Sequence, residues 1–164
     1  MPTATEDLAS LRAAIDDFIA TSERCSGVWT AAPAPGKWSP SQILEHVARS
    51  LEEGARDARG ERSKLPQLPA PARFLARHLL FRRVLLQERF PRAKTNRAMN
   101  PESGPPTPEE GRARLESAVR ELERAVQQLP GVATSNVFGT VPLGDYVRFQ
   151  ELHTRHHMAQ LPVA

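Results

Sequence analysis

No apolar run in this 164-residue sequence approaches the roughly 18 residues that a membrane-spanning helix needs, so no spanning segment and no membrane partner are expected. The start, Met1-Pro2-Thr3-Ala4-Thr5-Glu6-Asp7, has neither the basic opening nor the apolar stretch of a secretory signal, which predicts a cytoplasmic protein. Cysteine occurs once, so no internal disulfide can form. Cys25 sits among apolar helix positions, where a small buried residue is expected rather than a reactive thiol. Strand signals are too few for a sheet, and there are no internal repeats. Hydrophobic content of 40% and charged content of 25% are ordinary for a globular chain. A chain of this length suits one domain, here 1–164, able to bury roughly 70% of its unfolded surface.

Helical signals dominate. Leu8, Leu11, Ile15, Phe18 and Ile19 recur at three- and four-residue spacing and predict an amphipathic helix from Glu6 to Cys25, ended by Gly27. A second helix opens at Ser39, a natural N-cap, with Pro40 at the first helical position and Gln42 completing a capping box. It carries Ile43, Leu44, Val47 and Leu51 and runs to about Arg59. Glu61 to Pro71 reads as a loop. A basic amphipathic helix with Phe74, Leu75, Leu79, Phe81, Val84 and Leu85 follows and stops before Pro91. Lys94 to Pro106 reads as an irregular insertion over the surface, near a functional mouth. Thr107, Pro108 and Glu110 again spell cap, proline and capping box, and open a helix that Pro130-Gly131 ends. Val137 to Val141 has strand character, but its isolation between helices predicts a structured loop. The last helix runs from about Leu143 to Gln160. The class is all-α, and connections of this length favour an antiparallel bundle.

Charge is unevenly placed. From Arg73 to Arg97 eight basic residues (Arg73, Arg77, Arg82, Arg83, Arg89, Arg92, Lys94 and Arg97) face one acid, Glu88, a local excess of seven in a chain of net charge +3. The cluster suits phosphates or an anionic small molecule. The plainer reading is a solvated helix face with snorkelling arginine stems. Phe74, Phe81 and Phe90 among these arginines fit core positions better than stacking platforms, so nucleic acid is not an expected partner.

Five histidines occur, three of them at 153, 156 and 157. His153 and His157 stand one helical turn apart on the same face as Tyr146 and Gln150, within the apolar stripe. Two buried imidazoles need partners, and a divalent ion takes the acceptor nitrogens of both at this spacing. A pair of hydrogen-bonded core histidines is the alternative. His156 at the stripe's edge and His78 in the basic helix read as packing or surface residues. A third ligand must come from another helix, and His46 is the candidate, at the margin of the second helix's apolar stripe, with Ser50 and Glu53 on nearly the same line.

The segment Gly36-Lys37-Trp38-Ser39-Pro40-Ser41-Gln42-Ile43-Leu44-Glu45-His46 resembles the helix-two signature of the DinB-like superfamily. Phe138-Gly139, Leu143-Gly144-Asp145-Tyr146 and His153-Thr154-Arg155-His156-His157-Met158-Ala159-Gln160 resemble its C-terminal signature. The middle, from about Glu61 to Pro106, matches loosely. The resemblance implies one DinB-like domain, an antiparallel four-helix bundle with a long crossover, here with an extra basic helix. It also implies a homodimer and a divalent metal (zinc, nickel, manganese or iron) held by His46, His153 and His157. Members of this family include S-transferases and isomerases that use bacillithiol, mycothiol or glutathione. A metal-dependent, thiol-dependent S-transferase or hydrolase acting on a small molecule is therefore the expected function. A non-catalytic metal-binding stress-response bundle acting as a dimer is the alternative. Three neutral imidazoles leave an ion its full charge and an open position, where the pKa of water or of a low-molecular-weight thiol would fall toward neutrality. In that scheme Glu53 is a hydrogen-bond partner behind the ligands or the general base, Tyr146 or Gln150 orients a substrate, and Arg82 and Arg83 receive the thiol's carboxylates.

Overall fold

The computed structural model describes residues 4–91 and 95–162. Arg92 and Lys94 of the basic cluster lie outside the described residues. Four long helices enclose the core: α1 (Ala4–Glu23), α2 (Pro40–Ala58), α5 (Pro108–Gln128) and α6 (Leu143–Met158). Helix α1 packs on α6 and α5, and α2 packs on the same two. Their apolar stripes supply Leu11, Ile15 and Phe18, then Leu44, Val47 and Leu51, then Leu115, Val119 and Leu122, and finally Tyr146 and Val147, all essentially inaccessible. Among the described residues no helix is long and apolar enough to cross a membrane.

The start of α2 forms as its sequence dictates. Ser39 Oγ accepts the Gln42 N–H at 3.3 Å, and Gln42 Oε1 accepts the Ser39 N–H at 3.0 Å. With Pro40 at the first helical position, this fixes where the helix begins and hence where His46 points. At α5 the Thr107 hydroxyl accepts the Glu110 N–H at 3.2 Å behind Pro108. Cys25 is buried, with its thiol against the Thr21 carbonyl.

The expected basic helix is a continuous run of three parts: α3 (Ala70–Ala76), a π-helical turn (Arg77–Phe81) and α4 (Arg82–Gln87), closed by Glu88 in the left-handed region at φ 49°. Its buried side holds Phe81 and Val84. Phe74, Leu75 and Leu79, expected on the packed stripe, are instead exposed. The periodicity identified an apolar stripe wider than the body of the protein covers.

A second correction concerns the segment before α6. Val132–Ser135 (β1) and Gly139–Pro142 (β2) pair as an antiparallel hairpin, with Val132 opposite Pro142 and Ser135 opposite Gly139. The expected loop is a hairpin because its tip is anchored from outside the segment. Asp57 accepts the Asn136 N–H at 2.7 Å, Ser135 Oγ accepts the N–H groups of Val137 and Phe138, and Gly139 supplies a φ of 72°.

Asp57 also joins α2 to α6. Tyr146, 1% exposed, donates its hydroxyl to the Gly54 carbonyl at 3.0 Å and lies 3.2 Å from Asp57 Oδ2. Burial raises the Asp57 carboxyl above its ordinary pKa, against hydrogen bonds from Ser135, Asn136 and Tyr146 that lower it. Tyr146→Phe leaves both oxygens short of a donor and is expected to cost about 1–3 kcal/mol, read from urea unfolding. An unchanged midpoint would show that the hydroxyl does not join the helices.

Candidate metal centre

The three histidines named from sequence meet. His46 comes from the second turn of α2, and His153 and His157 come from the last turns of α6. One ring nitrogen from each lies within 4.8 Å of the others. His153 Nε2 and His157 Nε2 are 3.1 Å apart. Two imidazole nitrogens on one tetrahedral ion, at zinc-like bond lengths, stand about 3.3 Å apart. His46 and His157 are 4% and 6% exposed, while His153 is half-buried.

Hydrogen bonds on the far side of two rings set their tautomers. His46 Nδ1 lies 2.8 Å from the Met99 carbonyl, and His157 Nδ1 lies 2.9 Å from Gln160 Oε1. A carbonyl oxygen can only accept, so both rings carry their proton on Nδ1 and turn a bare Nε2 toward the cluster. This is how metal-binding histidines are usually oriented. Gln160 is held in turn, its amide N–H donating to His156 Nε2 at 3.2 Å. The donor set fits a first-row divalent ion that favours imidazole. Among the described residues no carboxylate or thiol joins the group, which leaves room for a non-protein ligand.

The Met99 carbonyl belongs to a strap, residues 96–106, laid across the start of α2. Ser41 Oγ and Trp29 Nε1 donate to the Pro105 carbonyl at 2.7 and 2.8 Å. Gln42 Nε2 donates to the carbonyls of Pro101 and Glu102, and Trp38 Nε1 donates to Asn100 Oδ1 at 3.0 Å. The insertion expected near a functional mouth therefore borders the histidines directly. Two aromatic rings wall the cluster. Trp38 lies 4.9 Å from the His46 ring, and Phe90 lies 5.3 Å from that of His153, between centroids.

Burial pushes all three imidazoles down, so each is neutral at pH 7. For His157 burial, reinforced by His46, takes the pKa from 6.5 to about 3. For His153 burial and then His157 take it well below 6.5, and for His46 burial outweighs the Met99 hydrogen bond. Neutral rings are ready ligands, with no proton to displace. All three rings bind protons more weakly in the folded chain than in the unfolded one, where they do so near 6.5, and His157 only near 3, so their stability is complete above 6.5 and lost as pH falls. For His157 alone the expected loss in the metal-free protein is about 2 kcal/mol at pH 5. Urea unfolding of chelator-treated protein between pH 7 and 5 measures it. A flat profile would place the rings in contact with water.

A family model described as the DinB superfamily matches residues 10–161, from α1 to the residue run after α6. The chain belongs to the DinB superfamily. No curated protein and no solved structure matches it. Membership of the DinB superfamily and the three-imidazole group together fit metal binding.

The other residues singled out in this DinB-superfamily chain have their polar groups engaged elsewhere. Glu53 receives Arg56 at 3.2 Å and the Lys64 N–H at 2.7 Å, and so ties the loop after α2 to the helix. Tyr146 is bound to Gly54 and Asp57, and buried Gln150 hydrogen-bonds the Tyr146 hydroxyl. Arg82 and Arg83 are exposed on α4, next to His78 and Gln87. The Met99 carbonyl, Gln160, Trp38 and Phe90 were not foreseen as parts of the centre. Two of them left a trace in sequence: Gln160, three residues after His157, where a helical side chain can reach back to a ligand, and Trp38, in the segment that resembles the helix-two signature.

Proposed function

We propose that this DinB-superfamily protein is a divalent-metal-dependent enzyme whose ion is held by His46, His153 and His157. The observation that carries this reading is the convergence of three neutral imidazoles on one point, two of them turned there by carbonyl acceptors. An ion held there would supply Lewis acidity and lower the pKa of a water or thiol that reaches it. The chain's own residues hold and shelter that position. Met99 and Gln160 fix the His46 and His157 rings, while Trp38 and Phe90 exclude water from two sides.

The family resemblance supports an antiparallel four-helix bundle in a single domain, a cytoplasmic homodimer, and a thiol-dependent S-transfer or hydrolysis reaction. Zinc, nickel, manganese and iron all suit the donor set. Glu53, Tyr146 and Gln150 we assign to holding α2, α6 and the adjoining loop together, since their polar groups are already engaged. That engagement also favours a second reading, a non-catalytic metal-binding bundle in which the ion staples α2 to α6. The two part in one experiment. The protein is loaded separately with each metal and assayed against electrophiles in the presence of low-molecular-weight thiols, and against simple esters. Turnover that needs both metal and all three histidines supports the enzyme. Metal-dependent stability without any turnover supports the staple.

A further inference from the structure

The outer face of the α3–α4 run has no role in the centre just described, and its composition is unusual for a surface. Six large apolar residues are exposed among the described residues, and four of them lie here: Phe74 at 56%, Leu75 at 54%, Leu79 at 67% and Leu86 at 82%. Scattered exposed apolar residues are ordinary, whereas a contiguous group marks an interaction surface.

The π turn keeps the inner side of the run on the body of the protein. On the inner side Ala76, Leu80, Phe81, Val84 and Leu85 all pack on the core. A strict α-helical period would carry Phe81 and Val84 away from the line of Ala76. The extra residue of the Arg77–Phe81 turn brings them back. On the outer side the same turn swings Leu86 off the line of Leu75 and Leu79 toward that of Phe74, so the four spread over a broad exposed face.

Between these apolar side chains stand Arg82 and Arg83, both exposed. Neither has a carboxylate as its polar partner: His78 Nδ1 lies 3.5 Å from Arg82 and Gln87 Oε1 accepts from Arg83 at 3.2 Å. The single acid of the segment, Glu88, is bound to Arg148 of α6. Both guanidinium charges on this face therefore lack an acidic partner among the described residues.

We infer that this face docks on an anionic lipid surface, with Phe74, Leu75, Leu79 and Leu86 entering the headgroup boundary and Arg82 and Arg83 meeting lipid phosphates. The run is too charged to span a bilayer, but a helix with one apolar, arginine-laced side lies in the plane of the interface. Charge selects this occupant over the others. A second copy seated on the same face would set guanidinium groups against their like. Nucleic acid would satisfy the arginines but leave four apolar side chains against phosphates. A lipid surface satisfies both kinds of side chain at once. The inference does not depend on the metal reading.

Co-sedimentation of the full chain with vesicles tests it, comparing phosphatidylglycerol mixed into phosphatidylcholine with phosphatidylcholine alone. Binding is expected only with the anionic lipid and weakens as salt rises. R82E/R83E and L79E/L86E are each expected to weaken binding by at least about tenfold, with helicity and metal content unchanged. Should the second variant fail to fold, Leu86→Glu alone, at the most exposed of the four positions, reads the same contact. Three results would overturn the inference: no sedimentation with anionic vesicles, equal sedimentation with the neutral ones, or a solution dimer that Leu86→Glu splits into monomers.

Discussion

Alanine at His46 is expected to lower divalent-metal affinity by about a hundred- to a thousandfold, the share of one ligand in a tightly held site. His46 is the one imidazole of the three that α2 contributes, so its loss leaves two ligands on a single helix. It also removes the bond through which the Met99 carbonyl orients the cluster. The effect should be visible in stability. An ion that binds only the folded chain raises the melting temperature by mass action, and the variant should lose most of that rise. Metal-free His46→Ala is expected to remain folded, because its ring is buried without charge and its deletion relieves desolvation as well as contacts. Titration calorimetry beside melting with and without metal separates these effects. Unchanged affinity would assign the ion to some other set of residues.

The second large effect is expected from Gly104→Ala, a substitution that touches no histidine. A Cβ at this position would fall within both the carbonyl oxygen and the hydroxyl of Ser41, in the first turn of α2. Neither can yield, since one is helical backbone and the other donates to Pro105. The strap must therefore lift, and the Met99 carbonyl lifts with it. Metal affinity is expected to fall about ten- to a hundredfold, as when other outer hydrogen-bond partners of metal ligands are removed. Stability is expected to fall by about 1–3 kcal/mol. Gly27→Ala is the control, since a Cβ there meets nothing within 4 Å. If Gly104→Ala binds metal like the control, the strap does not position His46.

These two variants also mark what the sequence could and could not reveal. His153 and His157 were legible because a helix puts i and i+4 on one face, and the apolar residues around them showed that face to be buried. His46 stood at the margin of the second helix's apolar stripe, and its place as third ligand came from the resemblance of the Gly36 to His46 segment to the family's helix-two signature. The partners of those rings were less accessible. The Met99 acceptor is a backbone carbonyl, carried by a strap 53 positions along the chain from His46, and no side-chain pattern announces it. Glu53 shares a helical line with His46, yet seven residues of α-helix advance about 10 Å along the axis, which sets it beside the Lys64 amide rather than the rings. The α3–α4 run shows the limit of periodicity. It identified an apolar stripe through Phe74, Leu75 and Leu79, but which side meets the body depends on a π turn that has no distinct sequence signal. The hairpin before α6 was missed for a similar reason, its tip being held by Asp57 of another helix.

This chain is expected to hold a divalent ion on three imidazoles. Elemental analysis of protein purified without an affinity tag, beside the His153→Ala, His157→Ala double variant, tests it most directly. Near-stoichiometric metal is expected in the wild type and almost none in the variant. A wild-type protein that stays metal-free after reconstitution with zinc, nickel and manganese would contradict it and return the three histidines to the core as packing residues.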